Sequence, residues 1–421
     1  MSEPVRLIIL GCGGRGTGYA NWVRNHPDRA KIVAIAEPRD FYRNRIGDQH
    51  NIPEEMRFRS WEEVAAKPKF ADAVLICMMD DLHEIPTVAF AGMGYHIMLE
   101  KPMAPTEAAC RRIADAVRRS KIMFAVCHVL RYTYYTRHVK KLIADGSIGQ
   151  IVSIQHLEPV GHWHQCHSFV RGNWRNEKET CFMLLAKCCH DIDWIRYIMD
   201  RPCTKIQSFG SLFEFRQERR PEGAASRCAV CPPEVESLCP ASALKIYMRD
   251  RMIRGLGHQW PTDVLTPDIT PRGVMLALRE GPYGRCAYQC DNDVVDNQVV
   301  NMSFKDGATA QMLMTAFCNE RGRQTRIFGT RGAIRTDSNI IHLTDFLTNE
   351  TKEIDTNIVD DGSILSGHGG GDGGLMDSFV SALETGDPST IRSGVDDTLE
   401  SHLMCFKAEE SRKTGTVCSI E

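Results

Sequence analysis

The sequence predicts an α/β protein: an N-terminal doubly wound parallel sheet, then a C-terminal α+β domain with an open, mainly antiparallel sheet. Three observations carry that prediction. Short β-rich apolar runs alternate with helical stretches over residues 1–125, the pattern of parallel strands joined by crossover helices. From about residue 130 the strand-like runs follow one another, with turn signals such as Lys305-Asp306-Gly307 between them. That succession favours antiparallel pairing with helices to one side. The chain's 421 residues exceed what one hydrophobic core organises, so two domains are expected, residues 1–125 and 126–421.

The elements of the first domain read in order. Val5–Leu10 is an apolar strand that ends in glycines, and a helix follows over Gly14–His26. Lys31–Ala36 is the second strand and Glu54–Ala66 has helical character. Ala73–Met78 shows no polar alternation, as a strand buried on both faces requires. Tyr95–Leu99 and Met123–Val126 complete the strands, with a charged amphipathic helix, Thr106–Arg119, between them.

In the second domain, strands are expected at Ile151–Leu157, Lys205–Phe215, Asp296–Phe304, Thr309–Ala316, Gln324–Gly329 and Ala333–Thr336. Helices are expected at Leu375–Leu383 and, last, Asp396–Lys413. Residues 217–293 interrupt this series with little regular patterning and many Pro, Gly and Cys residues, and read as an insertion or extended loop.

Composition narrows the function classes. With 43% hydrophobic and 25% charged residues the chain is neither disordered, collagen-like nor a disulfide miniature. Lys and Arg total 51 against 54 acidic residues, so no basic excess drives nucleic-acid binding. No apolar run approaches the roughly 20 residues of a membrane span. The N-terminus enters a strand directly, without the zones of a signal peptide, so a cytoplasmic protein is expected. Its 17 cysteines are therefore not expected to pair as disulfides.

Gly11-Cys12-Gly13-Gly14-Arg15-Gly16 fits the G-x-G-x-x-G template, follows the first strand and opens a helix. Gly11 permits the tight turn, Gly13 lets a pyrophosphate approach the backbone, and Gly16 lets helix and strand pack closely. The amides and positive dipole end of the helix supply the remaining attraction. Glu37, 21 positions after Gly16, is placed to bind the adenosine ribose hydroxyls. Together these residues predict a Rossmann-type dinucleotide site. Glu37 repels a 2′-phosphate and so favours NAD, while Arg39 two residues later offsets that preference and keeps NADP open.

Glu100-Lys101-Pro102 follows the strand Tyr95–Leu99, and His83 follows the strand before it. With the glycine fingerprint and the Gly329-Thr330-Arg331-Gly332 turn, this resembles the Gfo/Idh/MocA family of sugar and inositol oxidoreductases over essentially the whole chain. The resemblance implies NAD(P)-dependent hydride transfer at a ring carbon of a sugar or polyol. It also implies that Lys101 reaches both the nicotinamide ribose and the substrate, and that Glu100 and His83 belong to the same site. Chemistry agrees, because oxidising a secondary alcohol needs a base near the departing proton and a donor for the developing carbonyl. The family's D-x-G-x-H-x-x-D pattern falls on Ala186-Lys187-Cys188-Cys189-His190-Asp191-Ile192-Asp193. His190 and Asp193 keep the spacing, which makes His190 the candidate acid/base. Ala186 and Cys188 replace the first aspartate and the glycine, and Lys187 is a candidate for the compensating charge.

Two further clusters suit substrate. Residues 161–175 hold His162, His164 and His167, then Arg171, Asn173, Trp174 and Arg175. Sugar sites combine Trp stacking with such donors; a transition metal or a structural use of the histidines are the other readings. His164, His167, Arg171 and Trp174 are the candidates, with Asp191 beside the candidate acid/base. The run Gly367-His368-Gly369-Gly370-Gly371-Asp372-Gly373-Gly374 is too glycine-rich for a packed element. It presses backbone close to a ligand, with His368 and Asp372 as hydroxyl partners, or serves as a hinge. A similar stretch occurs in relatives that cleave glycosides by transient NAD-dependent oxidation and elimination, which adds that chemistry as an alternative. A non-catalytic NAD- and sugar-binding regulator is the third reading.

Cys228-x2-Cys231-x7-Cys239 lies in the insertion, and Cys286 and Cys290 follow. Four thiolates around a structural Zn²⁺ would organise a segment with few large apolar residues; an iron–sulfur cluster and unligated thiols are the other readings. Cys290 or Cys286 is the expected fourth ligand. The other twelve cysteines read as small buried thiols. An exposed sheet face implies a homo-oligomer, dimer or tetramer.

Overall fold

A computed structural model of the chain describes residues 3–319, 322–337, 339–356 and 369–420. It contains two sheets. The first has six parallel strands, β1 (Val5–Leu10), β2 (Ala30–Ala36), β3 (Arg57–Phe58), β4 (Ala73–Ile76), β5 (His96–Leu99) and β6 (Phe124–Val126), in the order β3-β2-β1-β4-β5-β6. The order reverses between β1 and β4, and ligands of such sheets bind in the crevice outside the strand ends at that switch point. β4 is buried at every position, as its unbroken apolar sequence requires.

The helices follow from local chemistry. In Glu107–Ser120 the Thr106 hydroxyl accepts the Ala109 amide at 3.2 Å and Lys121 ends the helix in the left-handed region at φ 52°. Ala109, Cys110, Ile113, Ala114, Ala116 and Val117 form its buried stripe. The expected helix Glu54–Ala66 is instead a short turn, β3 and the helix Trp61–Ala65. Arg57 and Phe58 pair with Ile35 and Ala36, and that edge pairing overrides local helical tendency.

The second sheet has nine strands, β7 (Ile151–Pro159), β8 (Cys203–Ser211), β9 (Asn297–Phe304), β10 (Thr309–Thr315), β11 (Gln324–Gly329), β12 (Gly332–Asp337), β13 (Ile340–Asp345), β14 (Thr351–Asp355) and β15 (Cys418–Ser419). Their order is β14-β13-β12-β11-β7-β10-β9-β8-β15, antiparallel except where β10 pairs with β7. One face packs on the helices Cys189–Met199 and Val395–Thr414 around Ile192, Ile195, Met302, Met312 and Met404. The other face carries a cross-strand apolar row in register, Phe209, Val299, Leu313 and Leu157.

The glycine run after residue 368 differs from expectation. Gly371–Gly374 form the first turn of a packed helix, Gly371–Thr385. A Cβ at Gly371 would stand 2.4 Å from the Val129 carbonyl oxygen, and one at Gly374 2.9 Å from that of Tyr132. The glycines thus let this helix lie directly on the backbone after β6. Its Leu375, Met376, Phe379 and Val380 join the core of the parallel sheet beside Leu7 and Tyr19. The insertion also has a core of its own, with Ala243, Ile246, Tyr247, Val274 and Leu278 buried against Cys166, Val170 and Phe215. No helix among the described residues is long and apolar enough to cross a membrane. The seventeen cysteines, all among the described residues, form no disulfide.

Candidate active site

The site grows from the end of β1. Gly11 takes φ +92°, and a Cβ there would sit 2.6 Å from the Cys77 carbonyl oxygen; one at Gly16 would sit 2.0 Å from the Gly11 carbonyl oxygen. A Cβ at Gly14 would meet nothing within 4 Å, and one at Gly13 only Arg39, at 3.7 Å. Two glycines are therefore fixed by the fold, while the two between them keep open space over the N-terminus of the helix Gly14–Asn25, which no side chain caps. Uncapped amides beside open space suit a pyrophosphate, so these residues fit a dinucleotide.

Glu37, at the end of β2, is buried and accepts the Cys12 amide at 2.9 Å. Arg39 grips the same carboxylate through Nε at 2.7 Å and Nη2 at 3.0 Å. Burial pushes this carboxyl up, but the Arg39 and Cys12 hydrogen bonds outweigh it and hold it below its ordinary value. Arg15 does not project freely: it pairs with Glu100 at 2.6 Å and Asp372 at 2.7 Å. It thereby ties the glycine loop to both the end of β5 and the helix Gly371–Thr385.

Glu100 is buried and also accepts from the Tyr19 hydroxyl at 2.6 Å and the Lys101 amide at 3.1 Å. Burial raises its carboxyl, yet Arg15 and Tyr19 bring the balance below the ordinary value. With its backbone fixed in this way, Lys101 extends to the carbonyl oxygen of Ala186, 2.8 Å from Nζ. The position where the sequence lost an aspartate thus meets the lysine with a main-chain acceptor. His83 is wholly buried with its ring nitrogens 2.8 Å from the Pro102 and 3.1 Å from the Met78 carbonyl oxygens. It positions the turn that carries Lys101.

The segment 185–193 is bound from below. His190 packs edge-on to His128 with ring centres 5.8 Å apart, and His128 to His402 at 5.5 Å. Asp193 is paired bidentately with Arg131, both bonds 2.7 Å. Asp191 accepts from His156 at 2.9 Å and from Arg323, whose Nη2 is 3.0 Å from Glu158. Lys187 reaches the other oxygen of Glu158 at 3.1 Å. Asp191 is fully buried in this network, and although burial opposes it, Arg323 and His156 hold its carboxyl far below the usual range. It is placed to anchor the segment, not to face a ligand. The network Glu158–Lys187–Arg323–Asp191–His156 has no linear motif, drawing on residues far apart along the chain, so no spacing in the sequence signals it.

The histidine cluster divides. His164 stands near Lys101 and Lys187; burial first, then these two cations and His167, hold it well below its ordinary value. His167 is buried under Tyr283 and bonded to the Tyr247 hydroxyl at 2.8 Å, and burial takes it down to about 3. Trp174 donates to Asp80 at 3.1 Å. Asp80 is itself raised by burial, against the nearby His83 and Lys101. Lys101, His164 and the Trp174–Asp80 pair therefore lie close together. Arg171 does not join them: it is buried in the insertion, where it donates to the Arg285 and Ala241 carbonyl oxygens at 2.8 and 2.6 Å. Among the described residues no carboxylate pairs with it, and an unpaired buried charge costs several kcal/mol. Asp372 faces Arg15, and His368 lies outside the described residues. Among the described residues no three His, Cys, Asp or Glu side chains converge so as to hold a single metal ion, so the expected zinc ribbon gains no support as a formed site.

Comparison with known proteins places both domains in one family. Residues 5–128 match the Gfo/Idh/MocA oxidoreductase family's NAD-binding Rossmann fold, and residues 140–418 match its C-terminal alpha/beta domain. The chain is 25% identical over 193 residues to 2,7-anhydro-N-acetylneuraminate hydratase of Escherichia coli, covering 45% of this chain and 48% of that protein. It is 28% identical over 158 residues to inositol 2-dehydrogenase of Corynebacterium glutamicum, covering 37% and 46%. The chain thus spans about half the length of these curated relatives. In fold it is similar to an oxidoreductase from Agrobacterium radiobacter solved with NAD+, L-tartaric acid and magnesium. There the TM-score is 0.70 at 14% identity, with 99% of this chain and 98% of that one covered. With both of the family's domains matched in order along its length, the chain belongs to the Gfo/Idh/MocA oxidoreductase family.

Proposed function

We propose that the protein is an NAD(P)-dependent oxidoreductase that moves a hydride to or from a secondary alcohol of a sugar, cyclitol or sugar derivative. The observation that carries this reading is the reach of Lys101 to the Ala186 carbonyl, which sets its ammonium between the nucleotide cradle and the segment bearing His190. When bound, the nicotinamide supplies the hydride acceptor or donor. Gly11, Gly13, Gly14 and Gly16 give its pyrophosphate a backbone cradle, and Glu37 receives the adenosine ribose. Lys101 holds the oxygen of the reacting carbon, and His190 takes or returns the proton there. His164 and Trp174 line the approach of the substrate ring. Glu37, held ionised by Arg39, supports NAD over NADP.

The relative named as a hydratase supports a second reading, in which the hydride returns to the product within one turnover and no net NADH appears. A panel of sugars, inositols and glycosides, scored for both NADH formation and aglycone release, separates the two. Steady NADH formation with substrate supports the dehydrogenase. Aglycone release without it supports elimination. Neither, on any member of the panel, supports the non-catalytic regulator.

The row Phe209, Val299, Leu313 and Leu157 on the outer sheet face supports a homo-oligomer built through that face. Phe209→Lys should then lower the mass measured by light scattering. A cytoplasmic location, where thiols stay reduced, is part of the same proposal for a chain with 17 cysteines.

A further inference from the structure

The insertion holds a feature that hydride chemistry does not use. Cys228, Cys231, Cys239 and Cys286 all line one small cavity, together with Arg171. Chain segments far apart in sequence are brought together to make it: a β-bridge joins Arg227 to Arg285, and the Cys286 amide donates to the Ser226 carbonyl oxygen at 2.8 Å. Arg171 enters with its guanidinium fully buried, Nη2 lying 3.8 Å from Cys228 Sγ. Its Nη1 is buried without a hydrogen-bond acceptor. The Ala243 amide also points at Cys228 Sγ, at 3.3 Å.

These observations point the same way. A buried guanidinium without a carboxylate requires an anion, and a neutral thiol is not one. A thiolate held by a metal is, and amides directed at its sulfur are the usual outer support of such ligands. We propose that Cys228, Cys231, Cys239 and Cys286 hold a thiophilic metal centre, either one Zn²⁺ or an iron–sulfur cluster, with Arg171 as its counter-cation. The four cysteines line the cavity without their side chains converging on one point, so metal binding requires the thiols to turn inward to other staggered rotamers. Binding forms four metal–sulfur bonds and releases four thiol protons to solvent, with no change of oxidation state in the protein. Cys290 is not a ligand: it is absent from the cavity wall, and its thiol donates to the Cys286 carbonyl oxygen at 3.3 Å. The centre staples the insertion beneath residues 163–174, which also carry His164 and Trp174.

The test is elemental analysis of the full-length protein, purified once in air and once anaerobically, with visible absorption and acid-labile sulfide measured alongside. About one zinc per chain without colour identifies the single ion; iron with labile sulfide and visible absorption identifies the cluster; either supports the proposal. Less than about 0.2 equivalents of both metals in both preparations overturns it. Cys231→Ser and Cys286→Ser should each lose at least tenfold of the metal, and Cys290→Ser should keep the wild-type content. Equal loss in Cys290→Ser overturns the ligand assignment. Should the serine variants fail to fold, the wild-type protein still decides: four thiols should become reactive in step with chelator-driven metal release. Thiols that react fully before any release refute the centre. Because metal is read directly, these outcomes are independent of whether any sugar is turned over.

Discussion

Lys101 Nζ lies 2.8 Å from the carbonyl oxygen of Ala186, so the lysine after β5 is held by the main chain of the segment that carries His190. Replacing the ammonium leaves that carbonyl to water and removes the donor to the reacting oxygen. Lys101→Met should lower kcat by about 10²–10⁴-fold. Binding of NAD, followed by nicotinamide fluorescence, should change far less, because the glycine cradle and Glu37 do not depend on this side chain. A loss of NAD affinity equal to the loss of kcat would place Lys101 in cofactor binding alone.

The glycines of the fingerprint make a graded prediction. A methyl at Gly16 collides with the Gly11 carbonyl oxygen at 2.0 Å, and backbone cannot rotate away. Gly16→Ala should lower the unfolding midpoint by about 2–12 °C, an overpacking cost of about 1–3 kcal/mol in a domain of this size. Gly14 meets nothing within 4 Å and is helical. Gly14→Ala should leave the midpoint unchanged or raise it, since alanine is the better helix former by about 1 kcal/mol. Thermal unfolding of the apo-proteins checks both without reference to activity.

The contrast between these two glycines shows what was legible. Periodicity and glycine spacing located β1, β2, β4, β5 and β6 and the nucleotide turn, because those signals are local. The zigzag of burial in β9 and β11 was equally readable. What sequence could not display is which side chain answers which. Gly371 and Gly374 looked like a loop, and only the backbone of Val129 and Tyr132 lying against them explains them as a packed helix. Arg171 looked like a sugar ligand from its neighbours in sequence, whereas its neighbours in space are Cys228 and Ala241. β13 and β14 went unread because Thr, Asp, Lys and Glu dilute their apolar alternation at a sheet edge.

Glu37 makes a third prediction. Its carboxylate accepts from the Cys12 amide and from Arg39, and would have to turn one oxygen toward a ribose. Glu37→Ala removes the repulsion of a 2′-phosphate and frees Arg39 to bind it. The ratio of NAD to NADP efficiency should fall at least tenfold. Stability should fall as well, by about 1–3 kcal/mol, because the buried Cys12 amide loses its acceptor. Arg39→Ala should move the cofactor ratio in the opposite direction. Paired kcat/KM values for the two cofactors decide the matter, and an unchanged ratio in Glu37→Ala would remove Glu37 from selectivity.

Three buried histidines make stability depend on pH. Burial holds His128 down to about 4; burial and neighbouring His128 hold His402 to about 3; burial and Arg171 hold His167 to about 3. In the unfolded chain each titrates near 6.5. A group with a depressed folded pKa binds its proton more readily when unfolded, so stability is full above about 6.5 and falls as pH drops toward the folded values. Each such group contributes about 1.4 kcal/mol per pH unit inside that window. Between pH 6.5 and 5 the three together should cost a few kcal/mol. The depressed carboxylates Glu37, Glu100, Asp191 and Asp193 act separately. Their contribution is present above about 4 and is lost only as pH falls further, so the two groups of residues overlap only at the acid end, where the histidines reach their folded values. Denaturant midpoints recorded from about pH 7 to 2 should therefore decline in two stages, the first setting in near 6.5 and the second near 4. His402→Gln should remove about one proton from the first stage and none from the second. A first stage of unchanged slope in that variant would show that His402 is protonated in the folded protein, contrary to its setting between the Thr398 carbonyl and the Met103 amide.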